Sequence, residues 1–382
     1  MPRLETLFIC LGASLVALAL GALFFAWSGV YNVAASHGHY PTTTWALNFG
    51  LRQSVETHSL SVSRPDRLED PDLATLGAGH YAGGCAFCHG APGQRENPVV
   101  QQMLPEPPDL TRAAERWSPE ELFWIAKHGL KYTGMPAWVA QERDDEVWAI
   151  VAFLLALPKM SATDYETIAR GNVPPLRRDG REIAELGVGA KALTACARCH
   201  GLGRLAPTSR LIPKLAAQSR DYLKLALRYY ANGLRPSGVM QPIAAVLDDQ
   251  AVERLTTYYA SLPALDDKPS APAATLDRIE RGKRIAESGI PEKGAPPCLV
   301  CHAGEKAPSF PRLDGQFAPY ISEQLRLFRR GVRDRTVQGA IMSVVARRLD
   351  DEQIADVAAY FESVAPPPAP TAAPGVSGRK RR

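Results

Sequence analysis

An all-α chain is what this sequence predicts, with three similar helical units in tandem behind one N-terminal membrane-crossing helix. Three observations predict it. The pattern C-x-x-C-H occurs three times at nearly regular intervals, and 21 uncharged residues run from Leu7 to Trp27. Apolar residues recur at helical period before and after every copy of the pattern, and no run of strict alternation is long enough for a sheet.

Taken as a helix, Leu7 to Trp27 extends about 31 Å, enough to cross the hydrocarbon core of a bilayer. A cleaved signal peptide is the competing reading, with "VAA" at Val33 to Ala35 as its cleavage site. Signal cores hold only about 7 to 15 apolar residues, so residues 1–35 are read as a retained anchor, and Cys10 within it as lipid-facing. Arg3 is offset by Glu5, so charge says little about orientation. Residues 36–71 form a juxtamembrane stalk in which Trp45, Phe49 and Arg52 share a helical spacing suited to the interface.

The pattern divides the remainder. Cys85, Cys196 and Cys298 lie 111 and 102 residues apart, which places units at 72–158, 177–263 and 273–365, linkers at 159–176 and 264–272, and a Pro-rich disordered tail at 366–382. In the first unit Ser118, Pro119 and Glu121 form a helix-start signal, and Val147, Ile150, Val151 and Leu154 share one face of a closing helix from about Asp144. The second and third units repeat each other: Tyr222 to Arg235 matches Tyr320 to Arg333, and two "LDD" segments each offer an Asp N-cap. The formal charge of +4, with a basic run only in the terminal "GRKRR", read as tail, is too small to argue for nucleic acid, and none is expected as a partner. The first unit carries 6 basic and 11 acidic residues and the second 13 and 7, so neighbouring units attract each other or face different partners.

Two thiols at this spacing reach the two vinyl groups of one haem, and the next imidazole then lies beneath the iron. A zinc site needs four ligands, and a redox dithiol does not explain the histidine. The expected cofactor is therefore three covalently bound haems c, held by Cys85, Cys88 and His89, by Cys196, Cys199 and His200, and by Cys298, Cys301 and His302. The expected sixth ligands are Met135, Met240 and Met342, lying 46, 40 and 40 residues after His89, His200 and His302. Met240 and Met342 each precede a "LDD" leucine by seven residues, and Gly134 and Pro136 flank Met135. Methionine opposite imidazole favours reduced iron. His128 is the rival ligand in the first unit and is read as an exposed helix-end residue; His37, His39, His58 and His80 are read as surface residues. Each ligating histidine needs an acceptor for its second N–H: Pro107 or Pro108, Pro207 or Pro213, and Pro308 or Pro311.

The soluble part resembles class I cytochromes c. The first unit, with "CAFCHG", "PPDL" and "TGMPAWV", is similar to the cytochrome c domains of cbb-type oxidases, and the second and third to the halves of periplasmic di-haem cytochromes c. The resemblance implies an electron carrier rather than an enzyme. It implies a quinol- or substrate-oxidising complex as donor and a terminal oxidase or soluble cytochrome as acceptor. Bacteria attach such haems outside the cytoplasmic membrane, so a single-pass inner-membrane anchor with a periplasmic body is expected. The tri-haem subunits of membrane-bound alcohol and sugar dehydrogenases are also similar and supply the alternative. A haem enzyme with one open distal site is a further one.

Overall fold

In the computed structural model, which describes residues 2–94, 97–171, 190–203, 205–264, 273–303 and 308–366, the opening stretch is a helix, Pro2–Ser28 (α1). Its Leu4–Ser28 portion has a mean hydropathy of 2.5 and is wholly exposed, long and apolar enough to cross a membrane. The stalk contains Pro41–Ser59 (α2), where Trp45 and Phe49 stack at 5.6 Å on an exposed face. Farther along, Val55 is fully buried and the Arg52 guanidinium lies 4.9 Å from the Trp117 ring, so this helix is docked on the first unit.

That unit is built from Pro71–Gly84 (α3), Pro119–His128 (α4), Asp144–Ala156 (α5) and Ala162–Arg170 (α6). Ser118 and Glu121 close the expected capping box, and Val147, Ile150, Val151 and Leu154 are buried. The last helix corrects an expectation. Residues 159–176 were expected as linker, yet Ser161 and Asp164 cap α6, whose Tyr165 is buried edge-on against Tyr81 at 6.3 Å. One buried aromatic and a strong cap made the segment part of the core.

Ala190–His200 (α7), Arg220–Ala231 (α8), Met240–Ala245 (α9) and Asp249–Ser261 (α10) make the second unit. Ala273–Ser288 (α11), Ala318–Arg329 (α12), Val337–Ala346 (α13) and Asp351–Ser363 (α14) make the third. The duplication is helix-accurate: α8 and α12 are offset by 98 residues at both ends, and α10 and α14 by 102. Asp248 and Asp350 are the N-caps, accepting from the Ala251 and Gln353 N–H groups at 2.7 and 2.9 Å. Among the described residues there is no strand, only an isolated bridge between Ile290 and Ala295. The expected linker beyond Ala264 and the tail beyond Pro366 lie outside the described residues.

In the first and third units the opening and closing helices cross at a glycine. A Cβ on Gly77 would lie 1.9 Å from the Ala149 carbonyl oxygen, and one on Gly282 would lie 2.0 Å from that of Asp356. Arg281 fastens the second crossing with a two-pronged contact to Asp356 at 2.7 and 2.8 Å. Gly282→Ala is therefore expected to wedge α11 from α14. At a cost of about 3 kcal/mol, the third unit should melt more than about 10 °C lower by circular dichroism; an unchanged transition would contradict the crossing.

The units meet through a buried polar junction. Glu146 accepts from the Ser237 hydroxyl at 2.5 Å, the Gly238 N–H at 2.6 Å and the Trp138 indole at 3.1 Å, and pairs with Arg143 at 2.9 Å. Arg143 also donates to the Pro236 carbonyl at 2.8 Å. Ser209 donates to the Asp72 carbonyl at 2.9 Å, and Arg335 of the third unit pairs with Glu142 of the first. The acidic first unit thus docks on its more basic neighbours.

Candidate functional site

The first two C-x-x-C-H sets lie where a long helix ends, and the third lies in a short turn of its own. Cys85 closes α3 and one turn carries Cys88 and His89; Cys196, Cys199 and His200 end α7; a short turn after Cys298 carries Cys301 and His302. None of the six cysteines pairs with another in a disulfide. Burial pushes Cys85 up to about 12, and Cys196 and Cys298 to about 11.

The three histidines share one second contact. His89 donates Nδ1–H to the Pro108 carbonyl at 2.8 Å, His200 to Pro213 at 3.0 Å and His302 to Pro311 at 2.9 Å. The structure therefore selects one proline from each expected pair. A carbonyl only accepts, so the proton sits on Nδ1 and Nε2 keeps its lone pair. Burial lowers the pKa of His200 and His302, holding both rings neutral. His302 Nε2 is buried with no hydrogen-bond partner, an orphan that a metal ion would satisfy.

Between the second and third units lies a cleft with about 2170 Å³ of space free of protein atoms, part of it open to solvent. Cys196, His200, Met240, Cys298, Cys301, His302 and Met342 all line it. The structure thus gathers both duplicated sets in one cavity. Cys199 is placed differently, its Sγ 3.4 Å from where a Cβ on Gly79 would stand. The first set is separate. There Tyr81 donates to the Gly90 carbonyl at 2.7 Å, behind His89. Met135 is held by its N–H to the Thr133 hydroxyl at 3.0 Å and by its carbonyl, which accepts from Leu130 N–H at 3.2 Å. Met103 Cε lies 2.2 Å from a Cβ built on Gly134, so this methionine packs beside the Met135 loop.

Two residues without an assigned role in the sequence reading complete the cleft. Arg235 is buried and Arg333 half-buried in the same cleft, and among the described residues neither has a carboxylate partner. Arg235 donates to the Tyr320 hydroxyl at 3.1 Å and Arg333 to the Gln324 carbonyl oxygen. Burial and the neighbouring Arg235 push Arg333 down to about 10, whereas the two cations outweigh burial at Tyr222 and lower its phenol. Uncompensated buried charge of this kind calls for an anion. Haem c fits on every count: thiols for its vinyl groups, a lone pair for its iron, and two guanidiniums for its carboxylates. The sequence signal was present, since both arginines occupy matching places in the repeat, but repetition alone assigned them no task.

The other histidines divide. His37, His39 and His58 are exposed, and His128 is exposed at the end of α4, beside Trp124 at 5.2 Å. His80 is a correction: expected on the surface, it is 8% exposed under the junction, 6.2 Å from the Trp138 ring. Desolvation, helped by Arg143, pushes its pKa down to about 3. The groups that face it, Trp138 and Arg143, come from the far end of its own unit.

The comparisons agree with this geometry. Residues 72–154 match the family model for the cytochrome c oxidase, cbb3-type, subunit III, and residues 279–365 match that for cytochrome c. A thiosulfate dehydrogenase electron acceptor of Stutzerimonas stutzeri is 33% identical over 49% of this chain and 86% of its own length. One from Thiomonas intermedia is 37% identical over 46% of this chain and 81% of its own length. A cytochrome c4 of Thiocapsa roseopersicina is 34% identical over 49% of this chain and 98% of its own length.

Proposed function

The chain belongs to the class I c-type cytochromes, and from that premise we propose that it is a tri-haem electron carrier, anchored in the bacterial inner membrane with its body in the periplasm. Its cytochrome c domains imply covalently bound haem c, and the three C-x-x-C-H sets support a count of three. The domains run over 72–158, 177–263 and 273–365, the helix at 162–170 packing onto the first.

The observation that carries the reading is the shared cleft, onto which two of these histidines and two methionines open. When bound, haem c supplies a one-electron iron couple. Cys85 with Cys88, Cys196 with Cys199 and Cys298 with Cys301 would hold it through thioether bonds, and His89, His200 and His302 would offer Nε2 to its iron. Met135, Met240 and Met342 would supply thioether sulfur to it, which would favour the reduced state. Arg235 and Arg333 would hold the haem carboxylates and keep water from that edge of the cleft. This set carries electrons and leaves no ligand position for a substrate, so the chain is not itself an enzyme.

The donor is a quinol- or substrate-oxidising complex and the acceptor a terminal oxidase or soluble cytochrome. Among donors, two relatives named thiosulfate dehydrogenase electron acceptors favour a dehydrogenase of reduced sulfur compounds over one of alcohols or sugars. Carbon monoxide tests the carrier reading. The reduced protein is expected to bind far less than one equivalent, whereas one full equivalent would mark an open distal site and a haem enzyme.

A further inference from the structure

Pro213 and Pro311, the acceptors of the two histidines in the cleft, are each followed by a residue whose backbone is held by the other unit. The Lys214 N–H donates to Gln316 Oε1 at 3.0 Å, and Gln316 Nε2 donates back to the Lys214 carbonyl at 3.1 Å. In mirror image, the Arg312 N–H donates to Gln218 Oε1 at 3.0 Å, and Gln218 Nε2 donates to the Arg312 carbonyl at 2.8 Å. Both glutamines are buried, 7% and 4% exposed. The four bonds are in reciprocal register, each glutamine clamping the backbone of the residue after the other unit's acceptor proline.

The carbonyl that receives the His200 proton and the N–H that Gln316 accepts from belong to one peptide group, Pro213–Lys214. Pro311–Arg312 stands in the same relation to His302 and Gln218. A hydrogen bond donated by a peptide N–H makes its carbonyl a better acceptor. A better acceptor draws the Nδ1 proton away from the ring, raises the basicity of Nε2 and favours oxidised iron.

We propose that Gln218 and Gln316 are positioning residues that act across the domain boundary, each setting the redox potential of the haem in the other unit through that unit's proximal histidine. The proposal rests on the three-haem reading.

Gln316→Met keeps the side chain's size and removes both bonds to Lys214, together with the one its Oε1 accepts from the Phe317 N–H at 3.2 Å. It should raise the potential of the site containing His200 and leave that containing His302 in place. The expected shift is about threefold in the partition of one electron between the two, or ~28 mV at 59 mV per tenfold. Gln218→Met should do the reverse. The Nδ1–H proton resonance of the reduced protein should move for His200 in the first variant and for His302 in the second. Shifts confined to the substituted unit, or equal in both, would overturn the proposal. If neither variant retains its haems, hydrogen exchange in the unaltered protein decides: strong protection of the Lys214 and Arg312 amides supports the bridge, and exchange as fast as an exposed loop overturns it. Absence of one of the two titration steps from the unaltered protein would instead defeat the three-haem reading.

Discussion

Arg143→Met should open the junction between the first and second units. Burial pushes the Glu146 carboxyl up and Arg143 pulls it back, while Glu146 and Asp145 hold the arginine's own pKa above its ordinary value. Removing the cation leaves Glu146, 4% exposed, as an uncompensated buried carboxylate, at a cost of about 3–5 kcal/mol. The Ser237, Gly238 and Trp138 donors cannot replace the charge. Limited proteolysis and small-angle scattering should show the first unit detached while every haem stays bound. Arg143 also grips Asp145 through two bonds at 2.9 and 2.8 Å, so the triple variant Arg143→Met with Asp145→Asn and Glu146→Leu should recover most of the loss, because it removes both stranded charges. Equal instability in the two variants would show that packing, and not the ion pair, holds the junction.

The other large effect is expected from Cys298→Ser combined with Cys301→Ser. Without thioether bonds the third unit loses its haem, and bound haem should fall by about a third in a pyridine haemochromogen assay. The consequence reaches the second unit. Arg333 and Arg235 share the cleft, so losing one anionic edge would leave both guanidiniums competing for the other. The haem held by His200 is therefore expected to shift in potential although none of its ligands has changed. An unchanged potential there would contradict the shared cleft.

How much of this was legible in the sequence follows from how local each cause is. The Ser118 capping box, the Asp248 and Asp350 caps and the buried face Val147, Ile150, Val151 and Leu154 depend on a few neighbouring residues, and each was readable. The three C-x-x-C-H sets were readable because covalent attachment imposes a strict spacing. The acceptor prolines were readable only as pairs, since the choice between Pro107 and Pro108 depends on how a loop closes. His80 and the helix at Ala162–Arg170 escaped, as both owe their burial to contacts with distant segments. Gln218 and Gln316 stood in plain view as repeated residues, but their partners lie about a hundred residues away across a boundary that only the folded chain defines.

The most direct test of the central claim is an optical redox titration of the membrane-extracted holoprotein, with bound haem counted on the same sample. Three haems per chain, titrating as three one-electron steps at high potential, are expected if imidazole and thioether ligate every iron. Two haems per chain, or one step at markedly low potential, would contradict the account.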